Sequence, residues 1–201
     1  LEELVKIPEN YTLSVLTPKN MVSTCCINLI SQIISSNSGI ISSIRPGKVE
    51  FYHDPSFHSS SYFSDLLKGA GFEPATGRDE QLLEKIKLAV IELVHKAGNV
   101  NSIIRNSDYL VERLGLSYTY LSALFSKSEH ITLERFIILH KIEKAKELIE
   151  YEELTLSEIA NQLGYSSVQY LSNQFKQVTG VSVSEYKKSD LGRIPLDMVG
   201  K

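Results

Sequence analysis

The chain has 201 residues, enough to bury one large hydrophobic core or two small ones. A formal charge of −3 at pH 7 excludes a protein that coats nucleic acid through bulk positive charge. The two cysteines, adjacent at Cys25 and Cys26, exclude a disulfide framework and a four-cysteine zinc site.

Taken in chain order, residues 11–15 alternate and are rich in strand formers, predicting a strand that Pro18 breaks. Cys26, Ile27, Leu29, Ile30, Ile33 and Ile34 then recur at helical spacing. A second strand is expected over residues 40–45, a turn at Pro46-Gly47, and a returning strand over residues 48–52. Tyr62, Phe63, Leu66 and Leu67 mark a second helix, closed by Gly69 and Gly71. A short strand over residues 72–75 would complete a βαββαβ order, the ferredoxin-like arrangement. The pattern breaks at Thr76-Gly77-Arg78-Asp79 and is helical almost throughout beyond it. Leu82, Leu83, Ile86, Val90, Leu93 and Val94 form an apolar stripe that Gly98 is expected to stop; this helix opens a second domain or serves as a connector.

The strongest feature is an internal repeat: residues 110–127 read LVERLGLSYTYLSALFSK and residues 159–177 read IANQLGYSSVQYLSNQFKQ. Each copy has a helix ending in Leu-Gly, at Leu114-Gly115 and Leu163-Gly164, followed by an apolar residue and a serine, Leu116-Ser117 and Tyr165-Ser166. Each then runs Tyr-Leu-Ser-x-x-Phe, to Phe125 and Phe175. Glycine reaches phenylalanine in ten steps in the first copy and eleven in the second, so one extra residue lies in the turn or in the first turn of the next helix. The pattern is that of a helix-turn-helix. Glycine supplies the left-handed backbone that redirects the chain, serine caps the second helix, and apolar residues four apart anchor it while its other face stays bare. Between the copies, residues 132–150 form one helical pattern carrying Arg135, Lys141, Lys144 and Lys146, about 28 Å long. That length is close to the roughly 34 Å between major grooves on one face of B-DNA. The expected fold is therefore α+β: a small ferredoxin-like domain (1–76), an all-α domain with two helix-turn-helix units joined by a long helix (77–189), and a dispensable C-terminal tail (190–201).

Over residues 79–189 the sequence resembles the AraC/XylS family of transcription regulators. The resemblance is strongest from Leu156-Ser157-Glu158 through Phe175-Lys176-Gln177-Val178-Thr179-Gly180 to Tyr186. It implies two recognition helices in adjacent major grooves, an activator of transcription without enzymatic activity or cofactor, and double-stranded DNA as partner. RNA polymerase and a second copy of the chain are further candidate partners. Carried over by position, the first reader would present Thr119, Ser122 and Ala123, and the second Ser167, Gln169, Ser172 and Asn173; Lys127 and Lys176 are candidates for phosphate. No arginine occupies a base-reading position, and Asn173 and Gln169 are suited to adenine. Tyr118, Tyr120 and Tyr170 read as packing residues.

The stretch Asn20-Met21-Val22-Ser23-Thr24-Cys25-Cys26 resembles the Met-x-Cys-x-x-Cys loop of heavy-metal-associated domains, with Ser23 in place of the first cysteine. A hydroxyl is a poor substitute for a thiolate, so Cu(I) or Zn is expected to bind weakly at best. A metal-binding sensor or carrier acting through the front domain is the alternative function. His53, Asp54 and His58 read as residues of a surface loop. With no apolar run of the ~18–20 residues that span a bilayer and no secretory pattern, a cytoplasmic protein without a membrane partner is expected. The sequence opens at Leu1, as a piece of a longer product would.

Overall fold

The computed structural model describes residues 7–96 and 106–201. The chain divides into two compact units, Leu1–Leu88 and Ala89–Lys201. The expected helix stop at Gly98 lies outside the described residues.

In the first unit, β1 (Thr12–Leu16), α1 (Thr24–Ser36), β2 (Ile40–Arg45), β3 (Lys48–His53) and α2 (Ser60–Gly69) follow the expected order. The sheet is antiparallel in the order β1-β3-β2, with Ser14 opposite Phe51 and Arg45 opposite Lys48 across the Pro46-Gly47 turn. Side chains alternate across a strand, so Val49, Phe51 and His53 of β3 all face inward. They meet Ile30 and Ile34 of α1 and Phe63 and Leu67 of α2 in one core that also takes Met21 and Phe72. The strand expected over residues 72–75 is reduced to a single antiparallel bridge between Pro18 and Pro74. Two bonds flank the proline pair, Lys19 N to Glu73 O and Ala75 N to Thr17 O, both 2.8 Å, and the pairing does not extend into a ladder. The unit is thus a three-stranded open sheet with helices rather than a complete βαββαβ.

Helix α3 (Arg78–Ile91) opens with Asp79 and Glu80, acidic side chains suited to its positive end, and the division between the units falls inside it. A π turn, Glu92–Lys96, follows directly. The second unit is helical: α4 (Asn106–Leu114), α5 (Tyr118–Glu129), α6 (Leu133–Tyr151), α7 (Leu156–Gln162), α8 (Val168–Thr179) and α9 (Val183–Tyr186). α6 is the spine, packed against α5 and against α7 and α8. Its N-terminal half buries Leu133, Phe136 and Ile137, with Phe136 4.9 Å from Phe125 of α5. Its C-terminal half buries Ile142, Ala145 and Ile149 in a core shared with Ile159, Leu171, Phe175 and Tyr186.

The tail does not hang free, and its contacts run against the expectation that it is dispensable. Ile194 N donates to the buried Glu143 carboxylate at 2.8 Å, and Arg193 pairs with Glu147 and Glu150, both at 3.2 Å. Val199 is 5% exposed, and a Cβ added at Gly200 would come within 3.1 Å of Ile131 and Phe136. Gly192 and Pro195 deny the segment an amphipathic helix, but a strap held by its backbone and one arginine needs none. Removing residues 190–201 takes a partner from a buried carboxylate and uncovers apolar surface, and should cost about 2 kcal/mol. A urea midpoint equal to that of the full chain would count against this packing.

Candidate nucleic-acid interface

Each half of the repeat is a helix, a turn and a second helix. Gly115 and Gly164 close the first helices at φ +69° and +70°, the left-handed region that lets the chain turn away without strain. Ser117 caps α5, its hydroxyl accepting from Tyr120 N. In the second copy the cap of α8 is Ser167, accepting from Tyr170 N at 3.1 Å, and not Ser166, the serine matched to Ser117 by sequence. The extra residue of the second copy therefore lies wholly in the turn. From cap to anchor both copies take the same eight steps, Ser117 to Phe125 and Ser167 to Phe175. α7 has a further device: Thr155 and Glu158 form a reciprocal capping box.

That register fixes what the second helix of each unit exposes. Leu121, Leu124 and Phe125 bury one side of α5, as Leu171 and Phe175 bury one side of α8. On α5, Thr119, Ala123 and Lys127 are exposed and Ser122 is half-buried. On α8, Gln169, Asn173 and Lys176 are exposed and Ser172 is half-buried. Ser167 is exposed, with its hydroxyl engaged as the cap. Gln169 Nε2 donates to Asn173 Oδ1 at 2.9 Å across one helical turn, which ties the two amides together. Lys127 stands ten residues beyond its cap and Lys176 nine, so the two lysines sit about 100° apart on their helices and are not equivalent.

Tyr120 and Tyr170, expected to pack, are 48% and 53% exposed. They occupy the same place in each copy, three residues after the cap. Adjacency to Leu121 and Leu171 turns them about 100° off the buried stripe. Tyr118 does pack, its hydroxyl donating to Glu134 at 2.7 Å.

The three lysines of α6 are engaged within the fold. Lys146 is buried and paired with Glu143, Lys144 is paired with Glu147, and Lys141 lies 5.5 Å from the centroid of the Tyr165 ring, with burial lowering its pKa. Exposed positive charge lies instead at Lys127, Lys176, Lys187 and Lys188. In the first unit, Ser23 N-caps α1 by accepting from Cys26 N, and its hydroxyl lies 3.2 Å from the Cys26 thiol, while Cys25 faces solvent. The serine in the place of a thiolate thus serves the helix end.

Residues 110–189, the span of the repeat and α9, match a family model described as "Helix-turn-helix domain". The C-terminal region contains a helix-turn-helix domain. Among curated proteins, the chain is similar to the Msm operon regulatory protein of Streptococcus mutans, 29% identical over 99 residues. That match spans 49% of this chain and 34% of the relative. It is likewise similar to the raffinose operon transcriptional regulatory protein RafR of Pediococcus pentosaceus, 29% identical over 127 residues, spanning 63% of this chain and 44% of that one. The chain thus spans less than half the length of these curated relatives. Among solved structures, the C-terminal domain of AraT, a response regulator from Geobacillus stearothermophilus, aligns at 26% identity with a TM-score of 0.46, over 58% of this chain and 94% of that one. The helix-turn-helix match supports DNA binding and transcription regulation by this region.

Proposed function

We propose that the chain is a sequence-specific DNA-binding regulator of the AraC/XylS type, with α5 and α8 read into successive major grooves and α6 setting their separation. The observation that carries this reading is the pair of capped helices with one cap-to-anchor spacing, each held by its own core on one side and bare on the other. At 19 residues α6 spans about 28 Å, near the repeat of the groove. Relatives named for operon regulation support a cytoplasmic regulator whose partner is double-stranded DNA. One of them, the F1 operon positive regulatory protein of Yersinia pestis, supports an activator and hence contact with RNA polymerase. A second copy of the chain is a further partner in this reading. Among the described residues no helix is long and apolar enough to cross a membrane.

The second reader leads in this reading. Gln169 and Asn173 offer amides that pair with an adenine edge, whereas Thr119 and Ala123 offer a hydroxyl and methyl groups. Operators selected from random DNA should therefore carry an adenine-dependent position in the half facing α8. Asn173→Ala should weaken operator binding by about 1–3 kcal/mol and relax preference at one base pair. Lys176→Ala should weaken all sequences alike and flatten the salt dependence by about one phosphate. Binding isotherms on cognate and scrambled DNA at several salt concentrations separate the two. Unchanged specificity in Asn173→Ala gives the lead to the first reader, and wild-type protein without sequence preference refutes the regulator reading.

A further inference from the structure

The first unit holds a cavity of about 250 Å³ beside the end of β3, room for about eight waters at ~30 Å³ each. Tyr11, Ser38, His53, Asp54, Phe57 and His58 line it. His53, which sequence reading placed in a surface loop, is the last inward residue of β3 and is 3% exposed. Its Nε2 lies 2.8 Å from the Ser14 hydroxyl, and its Nδ1 has no hydrogen-bond partner among the described residues. A buried ring nitrogen without a partner is destabilising, and a ligand that supplies one removes the penalty.

Asp54 beside it is held anionic. The Ser56 hydroxyl and amide, and then Asn10, keep its carboxyl below the usual carboxylate range. Oδ1 accepts from Ser56 N at 2.9 Å and Ser56 Oγ at 2.6 Å, while Oδ2 accepts from Asn10 alone among the described residues and can take another donor. Phe57 offers a ring that is 80% exposed, and His58 is stacked on Tyr62 with centroids 4.2 Å apart. No lysine or arginine is among the described residues lining the cavity.

We propose that this cavity binds a small organic cation, a protonated amine whose N–H groups bond Asp54 and His53 and whose apolar body rests on Phe57. The sign of the fixed charge decides the class. A carboxylate or phosphate would meet Asp54 with no basic side chain to offset the repulsion. A neutral polyol would leave the charge unused, whereas a cation gains from both the carboxylate and the aromatic faces. A metal ion is disfavoured because no three metal-ligating side chains converge among the described residues. The inference goes beyond DNA recognition and does not rest on it, since the lining residues all belong to the Leu1–Leu88 unit.

The test is calorimetric titration of the full chain, without DNA, against tyramine, phenethylamine and agmatine, beside 4-ethylphenol, benzoate, glucose and zinc chloride. At least one amine should bind one-to-one, about tenfold or more tighter than any of the uncharged or anionic probes. Asp54→Asn keeps an oxygen to accept the Ser56 bonds, so the fold survives while amine affinity drops about tenfold. Phe57→Ala, at an exposed position, should lower it several-fold and serves if Asp54→Asn does not fold. The proposal is overturned if no amine binds below about 10 mM, or if benzoate, glucose or zinc binds more tightly than every amine. It is equally overturned if a folded Asp54→Asn, or Phe57→Ala where Asp54→Asn does not fold, retains wild-type amine affinity.

Discussion

Phe175→Ala should destabilise the Ala89–Lys201 unit by about 3–5 kcal/mol, the cost of emptying a fully buried phenylalanine site. Phe175 lies at the meeting of α6, α7, α8 and α9, its ring edge-on to Tyr186 at 5.4 Å in the core that includes Ile142, Ile159 and Leu171. Tyr186 is also tied to α6 through a 2.7 Å bond from its hydroxyl to Glu150, so the ring cannot swing in to fill the space. Domains are commonly stable by only about 5–15 kcal/mol, so the loss removes much of the reserve that holds α8 in place. Urea unfolding followed by far-ultraviolet circular dichroism reports it, because this unit is largely helical. Asn173→Ala, on the bare side of the same helix, should leave the midpoint where it was. A Phe175→Ala midpoint within about 0.5 kcal/mol of wild type would mean that the core does not hold the reader.

Acid is the second large perturbation. His95 and His140 lie with ring nitrogens 3.3 Å apart, His140 fully buried against Phe136. Burial, with Lys144 nearby, lowers the pKa of His95 to about 4; burial, with His95 beside it, lowers that of His140 to about 3. Both rings are therefore neutral in the folded chain at pH values where an unfolded histidine, with a pKa of about 6.5, is already charged. The unfolded state takes up protons first, so stability is full above that value and falls as the pH drops toward 4. The loss between pH 6.5 and 4.5 should be on the order of 3 kcal/mol. Glu158 and Glu185, whose pKa values are lowered first by bonds from Thr155 and Ser182, contribute in a separate window, losing their effect only below about pH 4.5. His140→Leu should remove roughly half of the slope between pH 6.5 and 4.5. A slope that persists in full would assign the acid sensitivity to other groups.

How far the sequence could be read depended on whether a signal was local. Alternation in β3 places the strand, and carried one residue further it places His53 inside with Val49 and Phe51. The reading stopped at Tyr52 because histidine beside aspartate suggests a loop. The fourth strand is reduced to the bridge at Pro18 and Pro74, a length of pairing that residues 72–75 alone do not reveal. The repeat was legible because its glycines and aromatic anchors recur, but two consecutive serines concealed which one caps α8. Only the distance back from Phe175 decides that, and it also separates Lys176 from the position of Lys127. Aromatic composition suggests burial for Tyr120 and Tyr170, whereas their offset from Leu121 and Leu171 turns them outward, Tyr170 standing edge-on to Tyr165. The strap formed by residues 190–201 left no periodic trace, since its attachments are one backbone amide, one arginine and a close approach at Gly200.

The inserted residue in the second turn has a consequence for how such a repeat diverges. A residue added inside α8 would have rotated every later side chain about 100° around the axis and turned the reading surface away from its original direction. Placed ahead of the cap, it alters only the loop and leaves the block from cap to anchor in phase with its counterpart. The eight-residue step from Ser117 to Phe125 and from Ser167 to Phe175 is thus a common frame in which Thr119 corresponds to Gln169 and Ala123 to Asn173. Side chains can be exchanged between the copies position for position without re-engineering the scaffold. In the proposed reading, one helix-turn-helix unit can then change what it recognises while the other keeps its former vocabulary.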